Sequence, residues 1–217
     1  MKKTILALVI GASIMMVSCG GGETEKELST TTVTGDGAGT PGTEGPNWEL
    51  DESSVRVQWT GFKLEAKAGV SGVFDSVTVS NLTASSDAAT AITGAAFEIQ
   101  TQSIFSKDSL RDWKLANILF GGMETPVISG EIKSVADGRA IVAVTMGGAT
   151  ADLDMSCEIS DAGEVKLMGG ITDLQAWSDL AGTGFDALAE ACAEKHEGVT
   201  HKDVEIIVWA NLTQAAE

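Results

Sequence analysis

The sequence predicts an all-β fold built from antiparallel strands. From Trp48 onward, short stretches alternate apolar with polar residues, which is the period of a strand with one buried face. Gly, Asp and Ser separate these stretches, and the chain holds 25 Gly but only three Pro, a balance that suits many tight turns. Hydrophobic residues make up 43% of the chain and charged residues 21%, as in a folded globular protein. The strand period by itself leaves a barrel and a sandwich open.

About eight strands are predicted in order along the chain, joined in several places by tight turns. The sixth has the clearest alternation, with Leu153 and Met155 on one face and Asp152 and Asp154 on the other. The predicted strands are residues 54–65, 68–80, 92–103, 126–135, 139–146, 150–160, 164–172 and 202–213. The predicted turns are Asp137-Gly138, Gly147-Gly148 and Ala162-Gly163.

Two segments have a helical rather than a strand period. Residues 107–120 place Leu110 and Trp113 on one stripe, and Ser106 is the predicted N-cap of this helix. Residues 185–195 form the second predicted helix. The fold class is therefore all-β with short helical excursions.

The N-terminus is typical of a lipoprotein signal. Lys2 and Lys3 precede an apolar segment over residues 4–17, and Met16-Val17-Ser18-Cys19 resembles the bacterial lipobox. We expect residues 1–18 to be a lipoprotein signal peptide and Cys19 to be the lipidated residue of the mature chain. Two acyl chains, palmitate among them, would anchor the protein to a membrane without spanning it. An ordinary signal peptide with an incidental Cys is the alternative.

Residues 19–47 are expected to be a flexible tether rich in Gly, Thr and acidic residues, and residues 48–217 the folded domain. Glu23, Glu25 and Glu27 resemble the surface-export signals of lipoproteins of the Bacteroidetes group. The expected location is therefore the outer membrane, at the periplasmic face or the cell surface. The formal net charge is −17, which argues against nucleic acid as a partner because both would be anionic.

A series of short motifs in a fixed order is more specific than the architecture. This series resembles the YceI-like family of lipid/polyisoprenoid-binding proteins. Each motif alone is weak, but their order over residues 48–171 and into the last strand carries the resemblance. The motifs are WELD at 48–51, SVRVQWTGFK at 54–63, VSGVF at 70–74, AFEI at 96–99, RD at 111–112, PVISG at 126–130 and VTMGGAT at 144–150.

The resemblance implies an eight-stranded antiparallel lipocalin-like barrel whose tunnel holds an isoprenoid or other long-chain lipid. A barrel of that size is just wide enough for one slender ligand. The sequence departs from the family in residues 185–201, a helical insertion that replaces an Arg-x-Asp-Phe-Gly stretch. Ordinary packed core remains the alternative for each candidate wall residue. The candidate ligand-binding residues are Trp59, Phe62, Phe74, Phe97, Ile99, Ile128, Val142, Val144, Leu153, Met155, Leu167 and Val208.

The remaining reactive residues form no obvious catalytic or metal site. Cys157 and Cys192 are left over once Cys19 is acylated, and an even pair in an exported protein predicts a disulfide; two free thiols are the alternative. His196 and His201 are expected to be solvated loop residues rather than metal ligands. No nucleophile elbow or phosphate-binding loop occurs in the sequence, and we expect neither a cofactor nor a metal.

The leading hypothesis is thus a lipid-binding lipoprotein that is not an enzyme. The first alternative is a surface interaction lipoprotein whose barrel is filled by its own side chains. The second is an enzyme that uses the barrel as a reaction chamber, for which Lys63, Glu98 and Arg111 are the first residues to test.

Overall fold

The computed structural model describes residues 47–214, which contain one antiparallel sheet of ten strands. The predicted signal peptide, Cys19 and the predicted tether up to residue 46 lie outside the described residues. The strands are β1 (Trp48–Lys63), β2 (Ala68–Phe74), β3 (Val77–Ser80), β4 (Ala96–Gln100), β5 (Ile104–Phe105), β6 (Val127–Ala136), β7 (Arg139–Met146), β8 (Ala149–Ile159), β9 (Glu164–Ile171) and β10 (Thr200–Gln214).

The sheet rolls into a half-barrel rather than a ring closed by continuous strand pairing. Its strand order is β3-β4-β6-β7-β8-β9-β10-β1-β2-β5, so β3 and β5 are the two edges. The roll brings the start of β1 back toward the β3 edge, where Trp48 and Ser85 exchange two backbone hydrogen bonds of 2.7 and 3.0 Å. Leu50 and Leu212 pair across β1 and β10 at this end of the roll, and both are buried.

The all-β prediction is confirmed, but the predicted number of eight strands is wrong. The predicted strand 68–80 bends after Phe74, where the Asp75 N–H donates to the Ser103 carbonyl and stops β2. Its two halves then pair toward opposite ends of the sheet, as β3 at one edge and β2 next to the other edge. The two-residue strand β5 adds the tenth strand beside β2.

The hairpin turns lie where the sequence predicts them. Asp137 and Gly138 have φ values of 52° and 71°, and Gly147 and Gly148 have 56° and 72°. Positive φ at both central residues matches the twist of two antiparallel strands, which is why Gly recurs there. These turns fix the register of β6, β7 and β8, and with it the side chains that face inward.

Four α-helical segments lie outside the strands: α1 (Ala88–Ile92), α2 (Ser109–Lys114), α3 (Phe120–Gly122) and α4 (Asp179–Cys192). A π-helical turn, Leu115–Leu119, joins α2 to α3. The predicted cap Ser106 is wrong, because the Asp108 carboxylate accepts from the backbone N–H groups of Leu110 and Arg111 and caps α2 instead. The predicted strand 92–103 begins only at Ala96, because α1 runs to Ile92 and a turn follows it.

Helix α4 lies against α3 at a contact that only glycine allows. A Cβ on Gly184 would lie 2.3 Å from the Leu119 carbonyl oxygen, and one on Gly122 would lie 2.8 Å from the Gly184 Cα. Helix α4 begins at Asp179 rather than at residue 185, because the Ser178 hydroxyl caps it through the Ala181 N–H. Within residues 47–214, no helix is long and apolar enough to cross a membrane.

Candidate functional site

The inner face of the rolled sheet surrounds a cavity of about 340 Å³. Ligand pockets in proteins span about 300 to 1,000 Å³, so this volume can hold a small or slender molecule. The cavity reaches the surface beside α2, since Leu110 lines it and is 52% exposed. Its wall is apolar along nearly all of its length, from Leu50 and Val165 at one end to Phe62 at the other.

All twelve candidate residues of the sequence analysis lie on the wall of this cavity. They come from eight strands, and cross-strand partners such as Val142 and Leu153 stand side by side on the inner face. Their role as ligand contacts stays a prediction. The structure adds that these residues converge on one space. The strand period alone places their side chains on one face of a sheet, and it is the rolling of the sheet that brings them together.

Two large aromatic side chains lie against the wall instead of filling the space. Trp59 stands directly opposite Gly72 across β1 and β2, and Phe97 stands opposite Gly130 across β4 and β6. A Cβ on Gly72 would lie 2.5 Å from Trp59 Cζ2, and one on Gly130 would lie 2.5 Å from Phe97 Cζ. Each ring therefore covers a bare glycine of the next strand, and the centre of the cavity stays open.

Gly61 marks the open space directly. It lines the cavity between Val57 and the end of β1, and a Cβ built on it meets no atom within 4 Å. In a packed core, a Cβ at an inward-facing position would instead be in van der Waals contact with neighbouring atoms. The interior at this level is therefore not filled by the protein's own side chains.

Trp59 also carries an unsatisfied polar atom. Among the described residues, its Nε1 is the one buried side-chain nitrogen or oxygen with no hydrogen-bond partner. An unpaired buried donor of this kind costs about 1–3 kcal/mol.

The mouth of the cavity is polar, and the sequence analysis missed it as a unit. Four parts of the chain supply its side chains: the end of β1, helix α2, the segment after α4 and the start of β10. No local pattern links residues so far apart in the sequence. The polar lining residues are Lys63, Asp108, Arg111, Lys114, Lys195, His196, Thr200 and His201.

Both histidines belong to this mouth. His196 lies in a loop as predicted, whereas His201 lies on β10, and neither is fully exposed to solvent. His196 is half-buried, and its Nδ1 lies 2.8 Å from the Thr200 hydroxyl. His201 is also half-buried and its Nε2 donates to the Leu64 carbonyl at 2.9 Å. Burial and, after it, the positive charges of Lys63 and Lys114 lower the pKa of His196.

Arg111 is held in place by Ser106. Its Nε donates to the Ser106 hydroxyl at 2.7 Å, and its Nη2 donates to the Ser106 carbonyl at 2.9 Å. The Ser106 hydroxyl in turn donates to the Asp112 carboxylate. The nearby Asp108 has a lowered pKa, first because the Arg111 N–H donates to it and further because of the charges of Arg111 and Lys195.

Lys114 points across to the end of α4. Its Nζ donates to the Ala191 carbonyl at 2.5 Å and lies 3.7 Å from the Cys192 Sγ.

The three residues named as first tests of an enzymatic function do not converge. Lys63 and Arg111 line the mouth, whereas Glu98 is exposed on the outer face. No group of three or more His, Cys, Asp or Glu that could hold a metal ion occurs within residues 47–214.

The predicted disulfide between Cys157 and Cys192 is not formed, and both residues are free thiols. Cys157 is buried on β8 opposite Leu167, whereas Cys192 lies at the end of α4 beside Lys114. A disulfide needs the two Cβ atoms within about 4.5 Å of each other. Burial raises the pKa of the Cys157 thiol, as does the charge of Glu158, and both effects keep it protonated.

Solved structures with this architecture exist, although no protein-family model and no curated protein matches the sequence. A polyisoprenoid-binding domain from Saccharophagus degradans aligns with a TM-score of 0.53 at 13% identity, covering 78% of this chain and 99% of that one. BcnA from Burkholderia cenocepacia aligns with a TM-score of 0.52 at 16% identity, covering 76% and 99%. This chain shares the fold of these two proteins. The fold predicted from the YceI-like resemblance is thereby confirmed.

A third structure, the YCEI protein of Campylobacter jejuni, aligns with a TM-score of 0.45 at 15% identity over 67% of this chain and 85% of that one.

Proposed function

We propose that this protein binds a long apolar lipid, with a polyisoprenoid-type chain, inside its half-barrel. The observation that carries the proposal is the open cavity of about 340 Å³, apolar along its wall and reaching the surface at one end. A void lined by apolar side chains is costly to leave empty, because the lining atoms lose their packing partners. An alkyl or isoprenoid chain replaces those partners.

The energy available is sufficient for useful affinity. Each CH₂ group moved from water into the cavity contributes about 0.8 kcal/mol, so a chain of 15 carbons contributes roughly 12 kcal/mol before costs. Association and ordering of the chain take back about 4 kcal/mol or more. Micromolar binding requires only about 8 kcal/mol net.

The shared fold supports the same proposal. One of the structural neighbours is itself a polyisoprenoid-binding domain, and the order of motifs in this sequence resembles the YceI-like family. We propose on these grounds that the chain is a member of that family and acts as a binding protein, not as an enzyme. The open space at Gly61 favours this function over a barrel filled by its own side chains.

Anchoring to a membrane through Cys19 is part of the proposal. The support is the lipobox-like sequence Met16-Val17-Ser18-Cys19 and the tether that follows it. Such a protein would hold its cavity near the outer membrane, at the periplasmic face or the cell surface. Labelling of cells with an alkynyl palmitate analogue tests this point, because wild-type protein should incorporate the label and Cys19→Ala should not. Equal labelling of the two would contradict the anchor.

The binding function is tested by extracting natively expressed, purified full-length protein with organic solvent and analysing the extract by mass spectrometry. We expect one lipid with a long apolar chain in a near-stoichiometric amount. Delipidated protein should also take up added farnesol. Absence of a native lipid together with no uptake of farnesol would overturn the proposal.

A further inference from the structure

The mouth of the cavity concentrates positive charge in a protein that is otherwise strongly acidic. The chain has 14 Lys and Arg against 31 Asp and Glu, yet the residues that line the cavity include four of the former and one of the latter. These residues are Lys63, Arg111, Lys114, Lys195 and the single carboxylate Asp108. All of them lie at the mouth, so a molecule entering the cavity meets a local positive field.

The cations of the mouth are not paired with carboxylates. Within residues 47–214 four ion pairs occur, and they use Lys67, Lys133, Arg139 and Lys202. None of the four cations on the cavity wall has an Asp or Glu oxygen of the described residues within 4.0 Å. The one carboxylate present, Asp108, already accepts two backbone N–H groups as the cap of α2.

Several of these cations also have donors to spare. Lys63 and Lys195 make no side-chain hydrogen bond among the described residues, and neither does Nη1 of Arg111. Lys63 and Lys114 lie near enough to His196 for their charges to disfavour its protonation. The end of β1, helix α2 and the segment after α4 therefore direct donors toward the place where the apolar cavity meets solvent.

Building on the proposed lipid binding, we propose that this basic mouth recognises an oxyanion head group, a carboxylate or a phosphate, on the lipid whose chain fills the cavity. Hydrogen bonds from an ammonium or guanidinium group to an oxyanion are about twice as strong as neutral ones. An anionic head at the mouth supplies the acceptors and the countercharge that the described residues lack. A neutral head of the same chain length supplies neither.

The test uses delipidated full-length protein and pairs of ligands with the same chain. Oleate is compared with oleyl alcohol, and farnesyl monophosphate with farnesol, in calorimetric titrations at low and at physiological salt. We expect the anionic member of at least one pair to bind about tenfold more tightly than the neutral one, and the preference to shrink with added salt. The pair with the larger ratio identifies carboxylate or phosphate as the preferred head.

Two variants test whether the preference for the anionic ligand arises at the mouth. Lys63→Met removes a charge of the mouth, and Lys166→Met removes the same charge from a residue of β9 that does not line the cavity. Lys63→Met should weaken binding of the anionic ligand about three- to tenfold and leave the neutral ligand within twofold, whereas Lys166→Met should change neither.

The outcomes separate the two proposals. Equal affinity for the charged and neutral members of both pairs would overturn head-group recognition and leave lipid binding intact. An equal effect of Lys63→Met and Lys166→Met would also overturn it, because the preference would then reflect net charge alone. If no member of either pair binds, the proposed lipid binding fails, and recognition of the head group fails with it.

Discussion

The wall and the mouth of the cavity are built in different ways. The wall consists of inward side chains of adjacent strands, such as Val142 and Leu153, whose positions follow from the alternation along each strand. The mouth consists of side chains from β1, α2, the segment after α4 and β10. The faces of adjacent strands thus provide the apolar space for a chain, and the ends of several separate elements provide the charge.

The comparison also explains which side chains have room to move. On the wall, the rings of Trp59 and Phe97 are fixed over Gly72 and Gly130. At the mouth, Lys195 is exposed and the side chain of Lys63 makes no hydrogen bond among the described residues. We therefore expect removal of a charge at the mouth to change selectivity, and a substitution at a glycine of the wall to destabilise the fold only where a ring or backbone atom already lies beside it.

The largest effect on stability is expected for Gly130→Ala. The new Cβ would lie 2.0 Å from the Ala143 carbonyl oxygen and 2.5 Å from Phe97 Cζ, so the strand pair must separate or the ring must swing into the cavity. We expect a loss of about 3 kcal/mol in the free energy of unfolding, measured by denaturant unfolding. Gly61→Ala is the matched control, because its Cβ meets open space, and it should be neutral or gain up to about 1 kcal/mol. A similar stability for the two variants would contradict the description of the wall.

A smaller effect is expected where the helices at the mouth cross. Gly184→Ala would place a Cβ 2.3 Å from the Leu119 carbonyl oxygen, whereas the same change at Gly121 comes no closer than 3.9 Å to the Ala116 carbonyl oxygen. Overpacking costs about 1–3 kcal/mol, and the higher helix propensity of Ala returns up to about 1 kcal/mol. We expect Gly184→Ala to lower the melting temperature and Gly121→Ala to maintain or raise it. If both variants melt like the wild type, the close contact of α4 with α3 is absent.

The strand period predicted the wall, because a side chain on a paired strand faces one side or the other and little else is possible. Leu153, Met155 and Leu167 were identified in this way, and all three are buried. The number of strands was not predictable, since the bend after Phe74 depends on a hydrogen bond from Asp75 to Ser103, far along the chain. The mouth was not predictable either, because the charge of Lys63 comes near enough to act on His196 only after β1 and β10 have paired.

The smallest expected effect is the pH dependence of stability due to His196. Its pKa in the folded protein is lowered, so between that value and about 6.5 the unfolded chain binds more protons than the folded one. The free energy of unfolding should therefore fall as the pH is lowered through this window, and His196→Gln should flatten the dependence. The lowered pKa of Asp203, due first to Lys67, has its effect only below about pH 4. Thermal unfolding at pH 8, 6.5 and 5 measures the slope, and an unchanged slope in His196→Gln would show that neither burial nor the charges of Lys63 and Lys114 lower the pKa of His196 in the folded protein.

The most direct test of the central claim is a series of side chains of increasing size at Gly61, measured by native mass spectrometry after incubation of delipidated protein with farnesol. Because a side chain at this position projects into open space, Gly61→Ala and Gly61→Phe should both fold, as melting temperatures at or above that of the wild type would verify. We predict one bound farnesol for the wild type and for Gly61→Ala, and none for Gly61→Phe. Undiminished binding by a folded Gly61→Phe would place the lipid outside the cavity and contradict the claim that the half-barrel holds it.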